Sequence, residues 1–89
     1  MDIIFSPEAQ EDYSYWKENN PQSIKRIKRL LEDISNHPYT GIGKPEKLKY
    51  ELSGKWSRRI NGVHRIVYIV RENNNDIYIL ALRYHYHRK

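Results

Sequence analysis

Arg83-Tyr84-His85-Tyr86 sets a histidine between two tyrosines, with an arginine before them, at the end of an apolar run, Ile77-Tyr78-Ile79-Leu80-Ala81-Leu82. Such rings can stack on planar groups, and histidine titrates near neutral pH. Two more clusters lie upstream: Lys44-Pro45-Glu46-Lys47-Leu48-Lys49, and Trp56-Ser57-Arg58-Arg59 with Arg65. Taken as one site, the three clusters hold what metal-independent RNA cleavage needs. A base removes the ribose 2′-OH proton, an acid protonates the leaving 5′-oxygen, and cations stabilise the phosphorane between them. Glu46 suits the base, although Lys44, Lys47 and Lys49 keep it a weak one. His85 suits the acid. Arg59 and Arg65 suit the stabilisation, because guanidinium grips phosphate with two prongs. Tyr84 and Tyr86 offer rings for unpaired bases.

By itself the constellation is weakly specific. Glu46 could equally pair with a neighbouring lysine, His85 could be an exposed strand end, and the tyrosines could be ordinary strand formers. His85 and His87 share a strand face, but no carboxylate or third histidine is near them in sequence. Neither a metal nor another cofactor is therefore expected. His64 reads as structural, and His37 stands in a loop with no evident partner. There is no serine nucleophile arrangement. Gly41-x-Gly43 follows no strand and opens no helix, so it is not a phosphate loop.

The elements that carry these residues must come from one small domain, residues 1–89. A chain of this size buries only about three-fifths of its unfolded surface. Its 38% hydrophobic and 30% charged content argues against general disorder. The lack of cysteine removes disulfides and thiolate metal sites. The N-terminus is too short and too acidic for a signal peptide, and no apolar run reaches the length of a membrane span. A soluble, cytoplasmic protein is expected. Charge is divided unevenly: residues 1–43 carry a net −2 and residues 44–89 a net +7. Positive charge gathered in one half favours a polyanionic partner, although a merely solvated surface has the same charge.

Asp2-Ile3-Ile4-Phe5 reads as a strand. Ser6-Pro7-Glu8 supplies an N-cap, a first-turn proline and an acid for the helix carrying Ala9, Tyr13 and Trp16. That helix stops at Asn19-Asn20, and Pro21 starts a second with an asparagine cap. Ile24, Ile27, Leu30, Leu31 and Ile34 give the second helix its apolar stripe, while Lys25, Arg26, Lys28 and Arg29 coat its solvated side. A loop, His37 to Gly43, follows. Leu48, Tyr50 and Leu52 then alternate with Lys47, Lys49 and Glu51 as in a half-buried strand. Ser53-Gly54 turns the chain; Trp56 and Ile60 point one way, Ser57, Arg59 and Asn61 the other. The segments from His64 to Val70 and from Ile77 to Tyr86 are apolar on both faces and so read as central strands. The expected fold is α+β in β-α-α-β-β-β order, an antiparallel sheet with both N-terminal helices on one face.

The Asn61-Gly62 turn leaves two registers open. A two-residue turn pairs Ile60 with Val63 and puts Arg65 on the face of Trp56. A three-residue loop pairs Ile60 with His64 and puts Arg65 beside Arg59, as the proposed chemistry requires.

Gly43-Lys44-Pro45-Glu46-x-Leu48-Lys49, Leu52-Ser53-Gly54-x-Trp56-Ser57-Arg58-Arg59-Ile60, His64-Arg65-x-Val67-Tyr68 and Arg83-Tyr84-His85-Tyr86, together with Asp12-Tyr13-x-Tyr15-Trp16 near the start, closely resemble the YoeB (Txe) toxins of the RelE superfamily. The resemblance spans nearly the whole chain in order. It implies a RelE-like, microbial-ribonuclease-like fold and a ribosome-dependent endoribonuclease of a type II toxin–antitoxin module, cutting mRNA in the ribosomal A site. It also implies homodimers and inhibition by a cognate, YefM-like antitoxin with a partly disordered, acidic segment. By motif the general base falls on Glu46, the phosphate-stabilising arginine on Arg65 and the general acid on His85. Lys49, Arg59 and Tyr86 match positions that support the site. Lys44, Arg83 and Tyr84 are read from their own chemistry as further RNA-binding candidates. The rival readings are a non-catalytic RNA- or ribosome-binding module and a ParE-like toxin acting on gyrase. The departure is at the end, where His87-Arg88-Lys89 continues past the family pattern; the readings there are added RNA contact, His87 as a competing acid, or a disordered tail, the last being the expectation.

Overall fold

The computed structural model describes residues 1–83, so the expectations placed on Tyr84, His85, Tyr86 and the 87–89 tail lie outside the described residues. β1 (Asp2–Phe5) leads into α1 (Pro7–Asn19) and α2 (Gln22–Asn36). β2 (Glu46–Lys47), β3 (Trp56–Arg59), β4 (Arg65–Arg71) and β5 (Asp76–Ala81) follow. The sheet order is β1-β5-β4-β3-β2. No helix among the described residues is long and apolar enough to cross a membrane.

Local chemistry explains the helices. Ser6 Oγ accepts the Ala9 amide at 3.0 Å, which caps α1, and donates to the Leu80 carbonyl at 3.1 Å, which ties the helix start to β5. Ile27, Leu30 and Ile34 of α2 are fully buried against Ile66, Tyr68, Ile77 and Ile79 of the sheet. Burial of each aliphatic side chain contributes about 1.5–3 kcal/mol, more than helix propensity does over the same residues. The expected asparagine cap on α2 is absent. Pro21 holds the cap position and has no side-chain acceptor to offer, while Asn20, one position earlier, closes α1 through its backbone amide to the Trp16 carbonyl.

The sheet departs from expectation in three ways. It is mixed, not purely antiparallel: β1 runs parallel to β5, with Ile3 opposite Ile77 and Phe5 opposite Ile79. The parallel partner is reached only through the two helices and the other strands, so short-range pattern does not reveal it. Next, the strand expected across residues 47–52 is only Glu46–Lys47, followed by a 3₁₀ turn at Tyr50–Leu52. Leu48 and Leu52 do turn inward, but they cap a small cluster with Val67, Leu80 and Ala81. The alternation there reflects a turn over an apolar patch, and the order becomes β-α-α-β-β-β-β. Finally, β5 ends at Ala81, so Leu82 and Arg83, expected within the strand, lie beyond it.

An irregularity sets the two faces of β5. Tyr68 stands opposite Ile79 but Val67 stands opposite Ala81, so Leu80 is the extra residue of a bulge. The bulge sends Ala81 to the face away from the helices and returns Leu82 to the helix side, in the cluster with Trp16. Both central strands are thus apolar on both faces.

Candidate nucleic-acid interface

The β3–β4 connection decides where the arginines go. Asn61 Oδ1 accepts the amides of Val63 at 2.9 Å and His64 at 2.8 Å, closing a side-chain turn. Ile60 N donates to His64 O at 2.9 Å. The loop therefore has three residues, Asn61 to Val63, and Arg59 stands directly opposite Arg65. Like charges directly opposed on one face repel. Arg65 is only 8% exposed, and its Nη1 donates to the carbonyls of Asn61 at 3.1 Å and His64 at 3.2 Å. Among the described residues no carboxylate pairs with either arginine. A buried cation held by carbonyls beside a second cation suits an anionic visitor.

The sheet carries Glu46 to the same face. Glu46 stands opposite Ser57, Ser57 opposite Val67, and Val67 opposite Ala81. Arg59 and Arg65 are two residues along from Ser57 and Val67, so the pleat keeps all of them on the side away from the helices. Leu48, buried with Val67 and Ala81, forms the apolar floor. Glu46, Lys47, Lys49 and Tyr50 line a shallow cleft of about 230 Å³. Glu46, Lys44, Lys49 and Arg59 are all exposed. The structure thus brings Glu46, Arg59 and Arg65 onto one face, with Lys49 in the cleft beside them.

Two residues of the sequence clusters go elsewhere. The guanidinium of Arg83 lies 3.5 Å from the centroid of the Tyr15 ring on α1. Arg58, grouped by sequence with Arg59, is fully buried on the opposite side of the sheet. There it donates to Asp33 Oδ2 at 2.7 Å, Tyr68 Oη at 3.2 Å and the carbonyls of His37, Thr40 and Ile42. Its parity with Trp56 and Ile60, both expected to face the core, was the available signal.

This buried network shapes the loop that delivers Glu46. The Arg58 hydrogen bond holds the Asp33 carboxyl below its usual range, and the Ile42 amide adds to that against the effect of burial. Burial pushes the Tyr68 hydroxyl up, which the Arg58 bond opposes. Tyr68 Oη donates to Pro38 O at 2.7 Å. Gly41 (φ +128°) is required here: a Cβ would strike the Asp33 carboxylate. The Gly43 carbonyl then accepts Arg59 N at 2.7 Å, so the loop joins the edge of β3 just ahead of Glu46.

The helices brace the site from behind. Arg26, expected in a solvated coat, donates to the carbonyls of Arg59 at 3.1 Å and Ile60 at 3.4 Å. His64 packs edge-on against Trp16, with centroids 5.1 Å apart, in keeping with a structural role. No group of three or more histidines, cysteines or carboxylates among the described residues could hold a metal ion.

Comparison with known proteins shows the family. The model of the YoeB-like toxins of bacterial type II toxin–antitoxin systems matches residues 5–86. Toxin YoeB of Escherichia coli K12 is 46% identical over 86 residues, 97% of this chain and 100% of the relative. A chain of the heterotetrameric YoeB–YefM toxin–antitoxin complex from Staphylococcus aureus is 48% identical, with a TM-score of 0.84 over 97% of this chain and 98% of that one. The YoeB dimer of the same organism gives 0.85 at 48% identity, with the same shares of each chain covered. With a two-helix, five-stranded α+β fold and a family match across nearly its whole length, this chain belongs to the YoeB-like toxins of bacterial type II toxin–antitoxin systems.

Proposed function

We propose that this toxin is an endoribonuclease that cuts mRNA in the ribosomal A site, acting in the cytoplasm. Glu46 removes the 2′-OH proton, the 2′-oxygen attacks the adjacent phosphorus, and Arg65, with Arg59 opposite it, stabilises the charge of the phosphorane. His85 protonates the departing 5′-oxygen. The products are a 2′,3′-cyclic phosphate, or the 3′-phosphate from its opening, and a 5′-OH. Lys44 and Lys49 draw in the backbone, Tyr84 and Tyr86 support binding of the RNA, and Arg83, stacked on Tyr15, supports it by anchoring the end of the described chain on α1. The observation that carries this reading is the cross-strand pair of Arg59 and Arg65, two cations without a carboxylate among the described residues, on the sheet face that also bears Glu46.

A YefM-like antitoxin is the proposed inhibitor, supported by the complex of the Staphylococcus aureus relative, and a homodimer by that relative's dimer. An exposed basic face is suited to masking by an acidic segment that folds on binding. Toeprinting in a purified translation system tests the reading with wild type, Glu46→Gln and His85→Gln. New 3′ ends in the A site for wild type alone are expected. Stalled ribosomes with whole mRNA from all three proteins would leave a binding module in place of an enzyme.

A further inference from the structure

Tyr50 is 86% exposed, far above any other large apolar or aromatic side chain that is exposed among the described residues. Its backbone is left-handed, φ +60°, a region that side chains bearing a Cβ avoid. The surroundings hold it there. Leu48 is buried on one side, its amide bonded to Lys55 O at 2.9 Å, and Leu52 packs into the same apolar cluster on the other. The turn closes through Leu52 N to Lys49 O at 3.1 Å and Ser53 N to Tyr50 O at 2.9 Å. An ordinary strand would have placed residue 50 on the apolar face with Leu48 and Leu52. The strained turn puts the ring in water, where it buries nothing for the fold. A strained, solvent-facing aromatic is a feature of sites more than of scaffolds.

Its neighbours identify the occupant. The ring lines the same shallow cleft as Glu46 and Lys49. An aromatic ring beside a lysine, next to a face with two cross-strand arginines, has the two elements of single-strand binding: a cationic track for phosphates and a platform for a base. We propose that Tyr50 stacks on an unpaired base of the bound RNA next to the phosphate held at Arg59 and Arg65. This rests on the proposed function and adds a substrate-binding residue to it.

The experiment has two arms. The first measures cleavage of ribosome-bound mRNA by wild type, Tyr50→Gly and Tyr50→Phe. Glycine accepts φ +60° freely, so Tyr50→Gly keeps or raises the melting midpoint, and any lost cleavage belongs to the ring. Tyr50→Gly is expected to lower cleavage by roughly 5- to 150-fold, equivalent to about 1–3 kcal/mol of stacking. Tyr50→Phe, which retains the ring, restores it. The second arm uses Glu46→Gln protein with a single-stranded RNA carrying 2-aminopurine. Fluorescence quenching that disappears with the added Tyr50→Gly change is expected. Cleavage and quenching unchanged by Tyr50→Gly would overturn the proposal, as would Tyr50→Phe being as impaired as Tyr50→Gly. Unchanged cleavage with weakened capture by an acidic antitoxin would assign the ring to a protein partner and likewise overturn it. If wild type leaves mRNA whole, the proposed function falls, and the quenching arm alone decides whether Tyr50 takes a base.

Discussion

The carboxylate of Asp12, on α1, accepts the amide of Leu82, seventy residues away, at 2.8 Å. Trp16, one helical turn further, donates its indole N–H to the carbonyl of the same Leu82 at 2.8 Å. α1 therefore grips both peptide groups of the residue just past the end of β5, three positions before His85. A buried carboxylate accepting a backbone amide is a strong, charge-assisted bond.

Asp12→Ala leaves the buried Leu82 amide without this acceptor, and a loss of about 1–3 kcal/mol is expected from urea unfolding. Asp12→Asn keeps an acceptor and should recover part of it. Where the folded variants are compared, cleavage should fall further than stability accounts for, because the exit direction of the chain leading to His85 loosens. Full cleavage by folded Asp12→Ala would show that α1 does not position that segment.

Arg58→Met removes the cation and strands the Asp33 carboxylate together with the freed carbonyls of the 37–42 loop. Asp33 is partly exposed and keeps the Ile42 amide, so the loss is that of the stranded acceptors, about 2–3 kcal/mol. Lysine cannot reproduce the fork, so Arg58→Lys should recover little. Chemical denaturation measures both; a Met variant within about 1 kcal/mol of wild type would contradict the role assigned to this network.

The lowered carboxyl of Asp33 makes stability depend on pH. Its folded value lies below its unfolded one, so its contribution is fully present above the unfolded value, about 3.9, and is lost as pH falls through the folded value. Unfolding midpoints taken from neutral pH down into acid should fall more steeply for wild type than for Asp33→Asn. Parallel curves would show that this carboxyl is not held by Arg58 in solution.

Arg59→Gln separates stability from activity. Removing one of two opposed cations should leave stability equal or raise it by up to about 1 kcal/mol, while cleavage falls. Arg65→Lys should lower cleavage by roughly 100- to 1,000-fold, since it loses the bidentate grip at the proposed transition state. Single-turnover cleavage beside thermal melts distinguishes these effects. Arg59→Gln that both melts early and cuts normally would mean that the pair is structural.

Asn61→Ala removes the acceptor for two loop amides, and an exposed turn bond of this kind contributes about 0.5–1.5 kcal/mol each. Proton NMR should show weaker protection of the Ile60 amide, which pairs with His64 across the loop. An unchanged spectrum for the hairpin would place its register under the control of strand packing instead.

Much of this molecule was written in its local pattern. The Ser6-Pro7 start of α1, the apolar stripe of α2 from Ile24 to Ile34 and the centrality of β4 and β5 follow from capping and from hydrophobic period, which act over a few residues. Motif resemblance likewise pointed to Glu46, Arg59 and Arg65, and the sheet does set them on one face. Tertiary structure decided the rest. The Asn61-Gly62 signal left two registers open; the pairing of β3 with β4, which sets Arg59 opposite Arg65, fixes the three-residue loop, and the Asn61 side chain closes it by accepting two amides. Arg58 and Arg59 are neighbours in sequence, but the pleat sends one into the buried Asp33–Tyr68 network and the other to the cationic face. Leu48, Tyr50 and Leu52 alternate like a strand, yet only Leu48 and Leu52 reach the small cluster beneath them, because the chain turns at a left-handed Tyr50 whose ring stays in solvent. The parallel pairing of β1 with β5 was invisible for the same reason: strand partners are chosen by what the completed sheet buries, and that sum is taken over the whole chain.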